Sequence, residues 1–83
     1  MSGIARRFGQ VIRRERESKG LSQEKLAGLA GLDRSYMHRL ERGRSSPTLD
    51  TLESLARALQ VLPSELIART DDSQEDDDAE EDE

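Results

Sequence analysis

Arg34, Ser35, Tyr36, His38 and Arg39 are crowded into the short stretch DRSYMHRLER. Together they carry planar guanidinium forks, a hydroxyl that can donate or accept, a phenol and an imidazole. That set suits recognition of the polar edge of a partner. It does not suit bond-making: His38 is the only histidine, the chain has no cysteine, and no carboxylates are paired at ligand spacing. A metal site, a nucleophile–base pair and a phosphate-cradling glycine loop are all missing from the sequence, so an enzyme is excluded and no cofactor is called for. The lack of cysteine also excludes a disulfide framework and a zinc finger.

The charge balance says what kind of partner fits. The net charge of −5 hides a partition: all 13 Lys and Arg lie between Arg6 and Arg69, whereas 10 of the 18 acidic residues lie from Asp71 to Glu83. With 13 basic and 8 acidic residues, the segment before Asp71 carries +5, and the remainder carries −10. A basic domain therefore sits beneath an acidic average, and its natural partner is a polyanion.

Short helices must hold the polar cluster. A four-residue recurrence of Ile4, Phe8, Ile12 and the stem of Arg16 predicts a first helix over residues 4 to 19, ended by Gly20, with Leu21 folding back over its last turn. Ser22 reads as the cap of a second helix that runs to about Ala30 and buries Leu26, Ala27 and Ala30. Gly31 makes a tight turn, Leu32 plugs the core, and Asp33 caps a third helix whose inward residues are Met37 and Leu40, every other residue on it pointing out. Gly43 closes that helix. After the loop Arg44-Ser45-Ser46-Pro47, Thr48 caps a fourth helix with Leu49, Leu52, Leu55, Ala56 and Leu59 facing in. Pro63 opens a fifth helix that packs Leu66 and Ile67 inward. The expected fold class is all-α, a compact five-helix domain over residues 1–70. The segment 71–83, DDSQEDDDAEEDE, is expected to be a disordered acidic tail, because like charges repel and its one apolar residue buries nothing.

At this level of detail the chain resembles a known family. GLSQEKLAGLAGLDRSYMHRLERG followed by SPTLDTLESLARALQV is similar to the Cro and phage-repressor (XRE-type) helix-turn-helix DNA-binding domains of bacterial regulators. The Ser-Gln opening, Ala27, Gly31, the Glu-Arg-Gly close and the leucine-rich fourth helix agree with that family in order and spacing. The resemblance covers residues 8 to 67 and implies a phage-repressor-like fold with the helix-turn-helix at helices two and three.

An α-helix fits the major groove of double-stranded DNA, about 12 Å wide, and residues near the start of the recognition helix meet base edges first. Arg34, Ser35, His38 and Arg39 hold those positions, with Arg34 suited to bidentate contact with guanine O6 and N7. The resemblance puts Gln23 against the phosphate backbone, with Tyr36, Arg42, Arg44 and Ser46 gripping it on the other side and Lys25 as a weaker candidate. It also implies that Arg16 pairs with Glu41 and ties helix one to helix three. Glu15 departs from the pattern, since relatives carry an apolar residue there; the middle turn of helix one must be rotated or its core smaller.

The function these features imply is a sequence-specific transcriptional regulator, acting as a homodimer on a two-fold related operator, with RNA polymerase or another protein as a further partner. Leu59, Leu62, Pro63, Leu66 and Ile67 are the expected dimer surface, although core packing could use the same residues. Small members of the family include restriction-modification controllers, antitoxins that repress their own operons, and phage or plasmid repressors. The alternative is a protein-interaction module whose acidic tail engages a basic partner, but such a module has no need of Arg34, Arg39, Arg42 and Arg44 gathered on and after one helix. The tail could instead fold back on the basic face and compete with phosphate, or simply solubilise the chain. Residues 4 to 14 are arginine-rich and amphipathic, as a transit peptide is, yet their apolar residues are ones the domain core needs. With no apolar run long enough to span a bilayer, the expectation is a cytoplasmic protein without a membrane partner.

Overall fold

A computed structural model describes residues 3–72. Among them five helices follow in order: α1 (Gly3–Ser18), α2 (Gln23–Ala30), α3 (Arg34–Glu41), α4 (Leu49–Leu59) and α5 (Pro63–Asp72). The described residues contain no strand. None of the helices is long and apolar enough to cross a membrane.

Each short helix is started by its predicted cap. The hydroxyl oxygens of Ser22 and Thr48 accept from the backbone N–H of Lys25 and Thr51, at 3.0 and 3.1 Å. One carboxylate oxygen of Asp33 accepts from the N–H groups of Ser35 and Tyr36. These bonds satisfy donors that the first turn of a helix leaves without an internal partner. Gly20 and Gly31 sit at φ 71° and 70°, the left-handed conformation that lets the chain leave α1 and α2 abruptly. No glycine ends α4. Gln60 adopts φ 62° there, and the N–H of Val61 bonds back to the carbonyl of Ala56.

One core joins all five helices. It contains Phe8, Val11 and Ile12 of α1, Leu26 and Ala27 of α2, Met37 and Leu40 of α3, Leu52, Leu55, Ala56 and Leu59 of α4, and Leu66 of α5. Leu21, Ala30 and Leu32 pack partly buried against it.

Three residues assigned to the interior lie outside it: Ile4 is 54% exposed, Leu49 82% and Ile67 42%. The inward stripe of α1 is Ala5, Phe8, Val11 and Ile12 with Gly9 among them, one position round from the stripe that began at Ile4. Gly9 lies on this stripe with its Cα against the Leu40 and Glu41 backbone of α3. Leu49 belongs to the right side of α4 but to its first turn, where no neighbouring helix covers it; periodicity reports direction around an axis and not how far along it the neighbour reaches. On α5, Thr70 takes the inward place four residues after Leu66, and its hydroxyl donates to the Leu66 carbonyl at 2.8 Å. Ile67 is thereby turned outward.

The departure at Glu15 has a structural answer. Its carboxylate pairs with Arg69 at 2.7 Å, joining α1 to α5 where an apolar contact was expected. Nearby, the Arg7 Nε donates to the Thr70 carbonyl at 3.2 Å. Held against α1 in this way, α5 continues through Asp71 and Asp72, so the first two residues assigned to the acidic tail are helical. The rest of that segment, and the disorder expected of it, lie outside the described residues.

Candidate nucleic-acid interface

The inward side of α3 is completely covered: Met37 and Leu40 are fully buried, and so is most of Glu41. Its outward side presents Arg34, Ser35, His38 and Arg39, all exposed. The four residues predicted to read bases therefore share one accessible face. Arg39 reaches back along it so that its guanidinium carbon lies 5.7 Å from the centre of the Tyr36 ring, within cation–π range. Tyr36 is half-buried and packs against the core while carrying Arg39. At the start of the helix, the Ser35 hydroxyl donates to Asp33 Oδ2 at 2.9 Å. That bond first, and then the Tyr36 N–H, hold the Asp33 carboxyl below the usual carboxylate range.

The far end of α3 is fixed by a buried polar clamp. Arg16 Nε donates to Glu41 Oε2 at 2.7 Å and Nη2 to Oε1 at 3.0 Å, a bidentate ion pair between side chains only 11% and 3% exposed. The remaining arm of Arg16, Nη1, donates to the Leu21 carbonyl at 2.8 Å. The hydrogen bond to Glu41 raises the Arg16 pKa above its ordinary value despite burial, which acts the other way. The resemblance implied this pair, and its outcome is that Glu41 faces inward, unlike the other polar residues of α3. A third member was not foreseen: Gln23, assigned to phosphate, donates from Nε2 to Glu41 Oε1 at 2.9 Å. It is half-buried beside the clamp at the start of α2.

Two glycines complete the seat of α3. A Cβ on Gly9 would collide with the Leu40 carbonyl oxygen and lie 2.7 Å from that of Glu41, so the α1 backbone rests directly on the last turn of α3. A Cβ on Gly43, at φ 75°, would stand 2.8 Å from the Arg6 Cα. Gly9 was missed in the sequence, yet a signal was present: glycine inside a helix is unfavourable by about 1 kcal/mol relative to alanine and asks for a packing reason. Of the remaining backbone candidates, Arg42 is half-buried, whereas Arg44 and Ser46 are exposed in the segment after α3.

A short second helix, a left-handed glycine, a third helix covered on one side and polar on the other, and a leucine-rich fourth helix form a helix-turn-helix unit. A family model described as a helix-turn-helix domain matches residues 7–69. The chain belongs to the helix-turn-helix family, of the Cro and phage-repressor (XRE) type. An HTH-type transcriptional regulator of Sinorhizobium fredii is 43% identical over 65 residues, 78% of this chain and 84% of that protein. The control protein C.BamHI of Bacillus amyloliquefaciens is 44% identical over 61 residues, covering 72% and 75% of the two chains. Among solved structures, the restriction-modification controller protein C.AhdI of Aeromonas hydrophila superposes with a TM-score of 0.73 at 50% identity, over 75% of this chain and 94% of that one.

The helix-turn-helix chain does not hold its five expected dimer residues together at one surface. Leu59 and Leu66 are completely buried within the single chain and have no area to offer a partner. Leu62, 61% exposed, and Ile67 keep apolar surface, with Pro63 half-buried between them in sequence. Among the described residues no three His, Cys, Asp or Glu side chains gather where they could hold a metal ion.

Proposed function

We propose that this helix-turn-helix protein is a sequence-specific DNA-binding transcriptional regulator that places α3 in the major groove and works as a homodimer on a two-fold related operator. The observation that carries the reading is the division of α3. Arg34, Ser35, His38 and Arg39 are exposed on one side, while the other side is locked into the core and the clamp. A helix seated so firmly can offer its side chains to base edges without moving. Arg34, at the first position of α3, reads guanine O6 and N7, a contact that discriminates by about 1–3 kcal/mol. Gln23, Tyr36, Arg42, Arg44 and Ser46 fix register on the phosphates, which carry no sequence information themselves. The similarity to restriction-modification controllers supports control of such a system as the regulatory setting.

Selection of sites from a random duplex pool, repeated with Arg34→Ala, tests the reading. The expected result is a two-fold related site for the wild type and loss of preference at one position per half-site in the variant; a variant with an unchanged preferred site overturns it. Dimerisation follows from the few base pairs a single helix can read and places half-sites about 34 Å apart. Leu62, Pro63 and Ile67 form the surface for it. Sedimentation at micromolar concentration should show a dimer, in free solution or on operator DNA, and a monomer in both conditions removes this part of the proposal.

A further inference from the structure

The bond between Ser35 and Asp33 limits what Ser35 can say to a base. A hydroxyl has one proton and two lone pairs, so it normally reads donors and acceptors alike. Here the Ser35 Oγ lies 2.9 Å from Asp33 Oδ2. The same carboxylate oxygen accepts the N–H of Ser35 at 3.1 Å and of Tyr36 at 3.3 Å as the cap of α3. An Asp33 carboxyl held below its usual range is ionised at neutral pH and has no proton to give. The proton in the contact therefore belongs to Ser35. Both side chains are exposed at the leading end of the recognition helix, and what they present outward is lone pairs.

We infer that Ser35 reads its base as a hydrogen-bond acceptor, selecting the exocyclic amino group of adenine or cytosine, the N6 or N4 amino, in the major groove. The inference rests on the major-groove reading proposed above and adds the chemistry of one contact. Those two amino groups are the donors the major groove displays, whereas guanine O6 and N7 and thymine O4 are acceptors. Turning the Ser35 proton toward a keto oxygen would remove a charge-assisted bond from Asp33 and leave an ionised carboxylate beside another acceptor, so both effects oppose that alternative. Arg34, one residue earlier, has donors alone. Adjacent positions of α3 thus ask for opposite chemistry, guanine acceptors under Arg34 and an amino group under Ser35.

Functional-group deletion on the selected operator, with the full chain, tests this. Ser35→Ala removes an exposed hydroxyl and leaves the Asp33 cap to the backbone N–H groups, so the variant should fold; it identifies the dependent base pair. Purine in place of adenine, or 2-pyrimidinone in place of cytosine, then deletes the amino group alone. The wild type should lose about three- to tenfold in affinity, the scale of one neutral hydrogen bond, and Ser35→Ala should lose nothing further from the same deletion. If Ser35→Ala instead becomes insensitive to removal of N7 or of a keto oxygen at that pair, Ser35 donates and the inference is overturned. Unchanged site preference in Ser35→Ala overturns it as well. These outcomes leave the major-groove reading intact, whereas a wild type that selects no sequence removes that reading and the inference together.

Discussion

The two ends of α3 are held by opposite means. At its start, Asp33 gathers two backbone N–H groups and one hydroxyl in full contact with solvent. At its finish, Glu41 is buried and takes three hydrogen bonds from two other segments, while α1 lies backbone to backbone upon it through Gly9. The exposed end carries Arg34 and Ser35, two of the residues proposed to read bases. The buried end sets where the helix points through Glu41, while His38 and Arg39 of the same turn face outward. Presentation and placement are therefore divided between two faces of the same eight residues.

The strongest way to break this contrast is to remove Glu41. Glu41→Ala leaves the Arg16 guanidinium enclosed without its anion, and Gln23 without its acceptor. Cutting one partner from a buried ion pair costs about 3–5 kcal/mol. The comparison within the same molecule is Arg13 and Glu17, paired at 3.1 Å on the surface with both side chains more than half exposed. Because Glu17 also lies 4.0 Å from Arg16, the surface partner to remove is Arg13, and Arg13→Ala should shift stability by at most about 0.5 kcal/mol, as exposed helix pairs do. Urea denaturation of the two variants measures the ratio, and near-equal losses would erase the distinction between clamp and surface.

Gly9→Ala comes next. Its methyl meets carbonyl oxygens of Leu40 and Glu41, which belong to a helix and cannot turn aside as a long side chain could. Alanine's better helix propensity, worth about 1 kcal/mol, works in the opposite direction. With contacts this close to fixed backbone atoms the overpacking cost falls at the upper part of about 1–3 kcal/mol, so after the propensity gain the net should be a loss of about 2 kcal/mol. In DNA binding, the preferred site should lose more affinity than random DNA, because the whole helix that would carry the base contacts is displaced. A Gly9→Ala protein as stable as the wild type would mean that α1 does not seat α3.

Legibility in the sequence follows the same line. Caps, turns and the inward pair Met37 and Leu40 were readable because each is decided within four or five residues, by a side chain reaching its own helix or by a 3.6-residue period. Glu41 was placed through likeness to a family; it lies four residues after Met37 on the inward side of α3, but a charged side chain there reads as outward until its partner Arg16 on α1 is known. Ile4 and Leu49 defeated the reading because their burial depends on where another helix ends. Ile67 did so because Thr70, a polar residue, could go inside once its hydroxyl found the Leu66 carbonyl. The Glu15–Arg69 pair joins residues far apart in the chain, and no local pattern contains it. In the site, the outward residues were legible as types and positions. Their internal bonds, Ser35 to Asp33, Arg39 to Tyr36 and Gln23 to Glu41, were not, although these decide which atoms are left to meet DNA.

The exposed end of α3 should respond less than the buried one. The Asp33 carboxyl is held below its usual range by the Ser35 hydroxyl first and the Tyr36 N–H second. A group whose folded value is lowered adds stability that is fully present above its unfolded range, near pH 3.9, and that is lost as pH falls through the lowered folded value. The stability gap between wild type and Asp33→Ala should thus be constant from about pH 6 to 8 and narrow only in acid, below about pH 4. Taking the gap at each pH cancels the acid sensitivity that both proteins share. It should also remain well below the Glu41→Ala loss throughout, because solvent takes over the exposed donors when the cap is removed and cannot reach Arg16 in the same way. A gap that widens in acid would mean that Asp33 works in its protonated form. It would then donate to Ser35 instead of accepting from it, and the leading end of α3 would present a proton to DNA.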